Sequence, residues 1–140
     1  MLSGYVQKIS MKLEKLNFRV WSYAYGGLIL LLSSIPADYL PREELFAIDK
    51  LFHAIEYFGF TLLVGFAHIY SVKRRYRMKW IPYTLRIGML FPIFDELYQS
   101  LIPGRISSWL DVIADLSGVT LAIVILAFIY DKYIYKDDLK

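Results

Sequence analysis

The residues best suited to chemistry in this chain lie in one stretch near the C-terminus, FDELYQSLIPGRISSWLDVIAD. Asp95, Glu96 and Gln99 close one apolar segment, and Asp111 and Asp115 enter the next. Between them Pro103, Gly104 and Arg105 have the composition of a tight turn. A second polar group, Asp49, Lys50, His53, Glu56 and Tyr57, opens an earlier apolar segment. Carboxylates beside a histidine can exchange protons, or hold a divalent cation through hard oxygen ligands. A planar arginine fork suits phosphate or carboxylate. On helices the spacing puts His53, Glu56 and Tyr57 on neighbouring faces at i+3 and i+4. The same rule pairs Asp95 and Glu96 with Gln99, and Asp111 with Asp115, with Gly118 continuing near that face as room for a neighbouring helix. Asp95 and Glu96 are adjacent and cannot point the same way, so one is expected to face inward.

The elements that carry these residues are apolar. The chain has 140 residues, of which 57% are hydrophobic, and its mean hydropathy is +0.43. Four apolar runs, roughly 18–35, 51–70, 80–102 and 109–130, each approach the ~20 residues that cross a bilayer as a helix. Continuous runs without strict alternation favour helices over barrel strands. The expected fold is all-α: an integral membrane bundle of four transmembrane helices over residues 18–135. A basic segment, residues 1–17, precedes it, and a cytoplasmic tail, residues 136–140, follows. In the first segment Leu2, Tyr5, Val6, Ile9, Leu13 and Leu16 share a helical face opposite most of the lysines, as in a short helix lying on a membrane surface. The first apolar run is long and lacks a good small-x-small cleavage site, so it is read as a retained helix rather than a signal peptide. Pro82 fits a first helical turn, and Pro92 falls inside the third helix, where a kink is expected.

Composition also excludes chemistry. With no cysteine, there are no disulfides, thiol nucleophiles or cysteine metal sites. Two histidines, His53 and His68, rule out a histidine-rich centre. The pI near 9.0 does not indicate nucleic acid, because the basic residues flank apolar runs, where they set orientation. Lys8, Lys12, Lys15 and Arg19, the group Lys73 to Lys79, and the C-terminal lysines place both termini in the cytoplasm. Loop 36–50 and the turn at 103–108 then face outward. Tyr70, Trp80, Tyr83, Trp109 and Tyr130 fall near the interfaces, as an aromatic belt.

This topology converges the polar residues on one level. Glu56, Asp95, Glu96 and Asp115 lie roughly 8–9 Å below the outer surface, and His53, Gln99 and Asp111 about 3–5 Å. Asp49, Lys50 and Arg105 sit at the mouth. Each residue taken alone has an ordinary explanation. His53 can be a hydrogen-bonded interior histidine, Asp111 can stabilise a helix N-terminus, and Arg105 can bond a helix end. The set is harder to explain so. Six acids against Lys50, Arg105 and His53 in low dielectric need protons, a cation or water. Arg86 and His68 are set apart as residues near the inner headgroups.

The motifs Asp49-Lys50-x-x-His53-x-x-x-Tyr57, Asp95-Glu96-x-x-Gln99-x-x-x-Pro103-Gly104-Arg105 and Asp111-x-x-x-Asp115-x-x-Gly118 resemble the VanZ-like family. The resemblance runs from about Ser33 to Val124. It implies a small integral membrane protein and, through the family's namesake, low-level teicoplanin resistance. It implies no established reaction. The expected function is binding of an envelope lipid or lipid-linked wall-precursor headgroup on the extracytoplasmic side. There Arg105 meets phosphate or carboxylate, while Glu96, Gln99, Asp111 and Asp115 meet hydroxyls, amines or amides. Membrane lipids and a wall precursor or lipoglycopeptide are the expected partners. The alternative is a membrane-embedded hydrolase or transferase with His53, Glu96 and Asp115 as its catalytic candidates, and Ser107 or Ser108 nearby. A small transporter fits less well, since the charged level stops in the outer third. No cofactor is evident, and a divalent cation fits only through the carboxylates and His53.

Overall fold

The computed structural model describes residues 17–36, 46–105 and 108–135. The expected surface helix at residues 1–16 and the tail 136–140 lie outside them, as does Ser107. Five helices follow in order: α1 (Phe18–Ser33), α2 (Phe46–Ser71), the single turn α3 (Arg74–Arg77), α4 (Trp80–Gln99) and α5 (Trp109–Ile129). A π-helical extension, Tyr130–Tyr135, continues α5.

Local chemistry sets most of the ends. The Asn17 side chain accepts from the Val20 N–H to start α1, and the Ser34 hydroxyl donates to the Leu30 carbonyl to close it, at 2.6 Å. Ser108 caps α5 by accepting from the Leu110 N–H. Between α4 and α5, Gly104 takes a φ of 77°, which a side chain would strain, and the Arg105 N–H closes the turn on the Ile102 carbonyl. α4 runs through Pro92. α2 begins five residues before its apolar run, so Asp49 and Lys50 are helical and not part of the loop. Nothing from Phe46 to Lys50 breaks a helix, and Asp49 in the first turn complements the helix dipole.

α2 is the hub. It packs most extensively on α5 and also on α1 and α4, while α1 leans only lightly on α4. Ile29, Tyr57, Phe60, Val64 and Val119 form a central core. Ile69, Trp80, Leu126, Tyr130 and Ile134 form a second one, at the end where α2 finishes. Trp80 is only 2% exposed and packs on Tyr130 at 5.9 Å between ring centroids, so it serves as core. Trp109, 71% exposed, is free to serve as the belt residue.

Among the described residues two helices are long and apolar enough to cross a membrane, Ile48–Ser71 and Trp109–Ile134. α1, at 16 residues, is short, and α4 carries Arg86, Asp95 and Glu96. Outward faces of the two long helices are apolar, with Leu51, Phe52 and Ile55 on α2 and Leu121, Val124 and Phe128 on α5 all more than half exposed.

Candidate functional site

The site is built where α2 and α5 cross. Gly118 has no side chain, and a Cβ there would run into the Ala54 carbonyl and come within 3.0 Å of the Phe58 nitrogen. This close backbone approach sets Asp115, one turn earlier on α5, over His53 on α2. The His53 Nδ1 lies 3.0 Å from the Asp115 carboxylate, in a hydrogen bond whose donor is set by the tautomer of the ring and the proton on the acid. Asp115 is 1% exposed. On the other edge of the ring, Nε2 lies 3.8 Å from Asp111 and 4.0 Å from Asp49. The Lys50 ammonium joins these two acids, at 2.7 Å from Asp49 and in direct contact with Asp111.

A second polar group adjoins the first. Asp95 accepts from the Gln99 amide at 3.0 Å, and the same amide nitrogen reaches the Ser33 hydroxyl of α1 at 3.2 Å. The Tyr57 hydroxyl lies close to Asp95, and both it and Asp95 Oδ1 are fully buried. Glu96 turns the other way and accepts from the Ser108 backbone N–H, which ties α4 to the start of α5. Both acids of the pair are buried, Asp95 towards Gln99 and Glu96 towards the start of the neighbouring helix α5. Successive helical residues point ~100° apart, and here each direction meets a different neighbour.

Glu56 is half-buried and lies in the field of His53, Asp95, Asp115 and Arg105. Among the described residues nothing hydrogen-bonds to it. Arg105 Nη2 donates to the Leu32 carbonyl at 3.2 Å, at the end of α1. This bond ties the turn to α1, while the buried Nε of Arg105 makes no hydrogen bond among the described residues. Pro103 and Gly104 shape the turn that delivers it.

Asp49, Lys50, His53, Asp111 and Asp115 thus form one cluster, and Tyr57, Asp95 and Gln99 another, with Glu56 and Glu96 beside them. Three participants carried no evident signal. Ser33 bonds Gln99, and Ser34 shares a 2.8 Å hydrogen bond with Tyr98. A Ser-Ser pair ending an apolar run is the one trace they leave in the sequence. Ser108 Oγ is occupied in capping α5, which makes it a poor nucleophile.

Asp49, His53 and Asp111 offer ligand atoms all within 4.8 Å of one another, a donor set suited to a divalent cation. Lys50 already supplies positive charge between two of them, so a metal ion there has to displace or neutralise its ammonium.

The described residues are all helical, with two membrane-length helices and a partly buried acid–histidine–lysine cluster at one end, and these features define the class. The VanZ/LLP1 family profile matches residues 5–130, and the chain belongs to that family. No curated protein and no solved structure gives a significant match to the chain.

Proposed function

We propose that this is a multi-pass membrane protein with four membrane-crossing helices, both termini in the cytoplasm and the polar cluster on the extracytoplasmic side. We further propose that the cluster binds the headgroup of an envelope lipid or lipid-linked wall precursor. The observation that carries this reading is the convergence of acidic and amide groups from separate helices at one end, beneath apolar outer faces. Those faces need a non-aqueous neighbour. The polar level behind them is reachable by a headgroup whose tails stay in lipid.

The chemistry of the ligand follows from what is left unpaired. Lys50 is held by its two acids, whereas Arg105 gives one N–H to α1 and keeps its Nε unpaired among the described residues. The carboxylate with room is Glu56. A headgroup that pairs amine or hydroxyl donors for the acids with a phosphate or carboxylate for Arg105 is therefore favoured. Altered presentation of such a lipid at the outer face would reduce teicoplanin access, which is the route from this site to glycopeptide susceptibility.

The test is a binding assay on purified protein in bilayer discs, with lipids extracted from the host envelope. Glu56→Gln and His53→Ala are expected to lose the retained lipid while the protein stays folded. Retention of the same lipids by both variants would sink the headgroup reading. Topology is checked separately with a cysteine at Ser107, in a chain that has none of its own. Labelling only from the cytoplasmic side would overturn the orientation.

The 3.0 Å His53–Asp115 hydrogen bond favours a second reading, a headgroup hydrolase or transferase. An acid that orients a histidine is the usual support for a general base. Turnover of bound lipid by wild type, abolished in His53→Gln with binding intact, would select this reading over simple binding.

A further inference from the structure

The other half of the molecule holds a cavity that the polar cluster does not use. A groove of about 710 Å³ runs between α1, α2 and α4. Its walls are mostly apolar, and Phe60 and Phe91, stacked at 4.6 Å, lie along it. Gly27 lines it, and a Cβ added there meets nothing within 4 Å. Arg19 and His68 line its other end.

We propose that this groove is a second lipid site, holding one acyl chain of an anionic membrane lipid whose phosphate sits at Arg19. Three observations converge on this occupant. The first is length. From Arg19 to Leu30, both lining residues, α1 rises ~16 Å, about half of a ~30 Å hydrocarbon core and thus the depth of one leaflet. The second is charge. Arg19 makes one hydrogen bond, to the Ser71 carbonyl at 3.3 Å, and has no carboxylate partner among the described residues. Lys73, Arg75, Arg77 and Lys79 gather at the same end, against Asp131 as the one described acid there. The third is volume, which lies within the ~300–1,000 Å³ usual for ligand pockets. The site rests on the membrane reading above but not on the headgroup reading of the polar cluster.

The experiment uses the full chain in phosphatidylcholine vesicles containing phosphatidylglycerol with a photoreactive diazirine on one acyl chain. Labelled peptides are expected from α1, α2 and α4 around Gly27, Val64 and Ile87. Gly27→Phe starts from a Cβ with open space around it, places a ring in the groove and is expected to lower that labelling several-fold. Unlabelled phosphatidylglycerol is expected to compete better than phosphatidylcholine, and Arg19→Gln to make the two equal. Undiminished labelling in Gly27→Phe, or equal competition in wild type, overturns the proposal. So does capture of residues 1–16 by a photoreactive side chain placed at position 27, since the chain itself would then fill the groove. Carbonate extraction separates the two failures. Release of the protein from membranes sinks the membrane reading, whereas retention with unaltered labelling sinks the groove alone.

Discussion

At one end of the bundle α2 and α5 touch backbone to backbone at Gly118 and Ala54. Towards the other, α1 stands off α2 and α4 far enough to leave a groove beside Gly27. Both regions contain glycine on a helix, and the residue does opposite things. Gly118 removes a side chain so that two helices can meet, and their meeting aligns His53 with Asp115. Gly27 removes one where nothing arrives. Charge is handled differently as well. The crossing end buries acids and pairs most of them with Lys50, His53, Gln99 and backbone, leaving Glu56 and Asp95 Oδ1 without a hydrogen bond among the described residues. The groove end keeps its basic residues near the surface. The contrast separates polar groups fixed by their neighbours from a hollow that awaits one.

Substitution can break or sharpen this contrast. The largest effect is expected from Gly118→Val, whose side chain would have to displace the Ala54 backbone. No folded protein should be recovered from membranes, as judged by size-exclusion profile. A well-folded Gly118→Val protein would mean that the crossing is not as close as described. Next comes Lys50→Ala, which strands Asp49 and Asp111. Breaking a buried pair costs about 3–5 kcal/mol, and less where, as here, the lysine keeps some exposure. Thermal unfolding in detergent should show it, and adding Asp111→Asn should restore part of the loss. Failure of the second change to help would separate Lys50 from Asp111. Asp115→Asn removes a charge-assisted bond to His53, expected at about 1.5–3 kcal/mol in the same measurement. Arg105→Ala loses the bond to Leu32 and should cost about 0.5–1.5 kcal/mol. If it leaves stability untouched and abolishes lipid retention, the arginine serves the ligand and not α1. The smallest change is Gly27→Ala, neutral or stabilising by up to ~1 kcal/mol through helix propensity. A matched Gly118→Ala should destabilise, and similar behaviour of the two would erase the distinction between the ends.

Much of the crossing end was legible from spacing. Asp111 and Asp115, like His53, Glu56 and Tyr57, are related by helical periodicity, which local sequence carries. Partners across helices were not. That Arg105 would reach Leu32, and that Gln99 would reach Ser33, depends on how α1 is seated, and no short-range pattern encodes that. Asp49 and Lys50 read as loop because polar residues at the edge of an apolar run resemble a boundary, yet α2 starts before them. Trp80 matched an interfacial pattern and proved to be core, because Tyr130 of the extended α5 covers it. The groove had no signature at all. An empty space is a property of packing among three helices, and the Gly26-Gly27 pair in its wall reads equally well as a close contact, which Gly26 indeed makes with Phe60.

The way α1 is fastened has its own consequence. It leans on α2 and lightly on α4, with an arginine bond near each end, Arg19 to Ser71 and Arg105 to Leu32. Cooperative units of a fold open in order of their local stability. α1 is therefore the segment whose amides should exchange with solvent deuterium first, ahead of the interlocked pair α2 and α5. Loss of either arginine should hasten exchange in α1 while leaving the pair at its former rate.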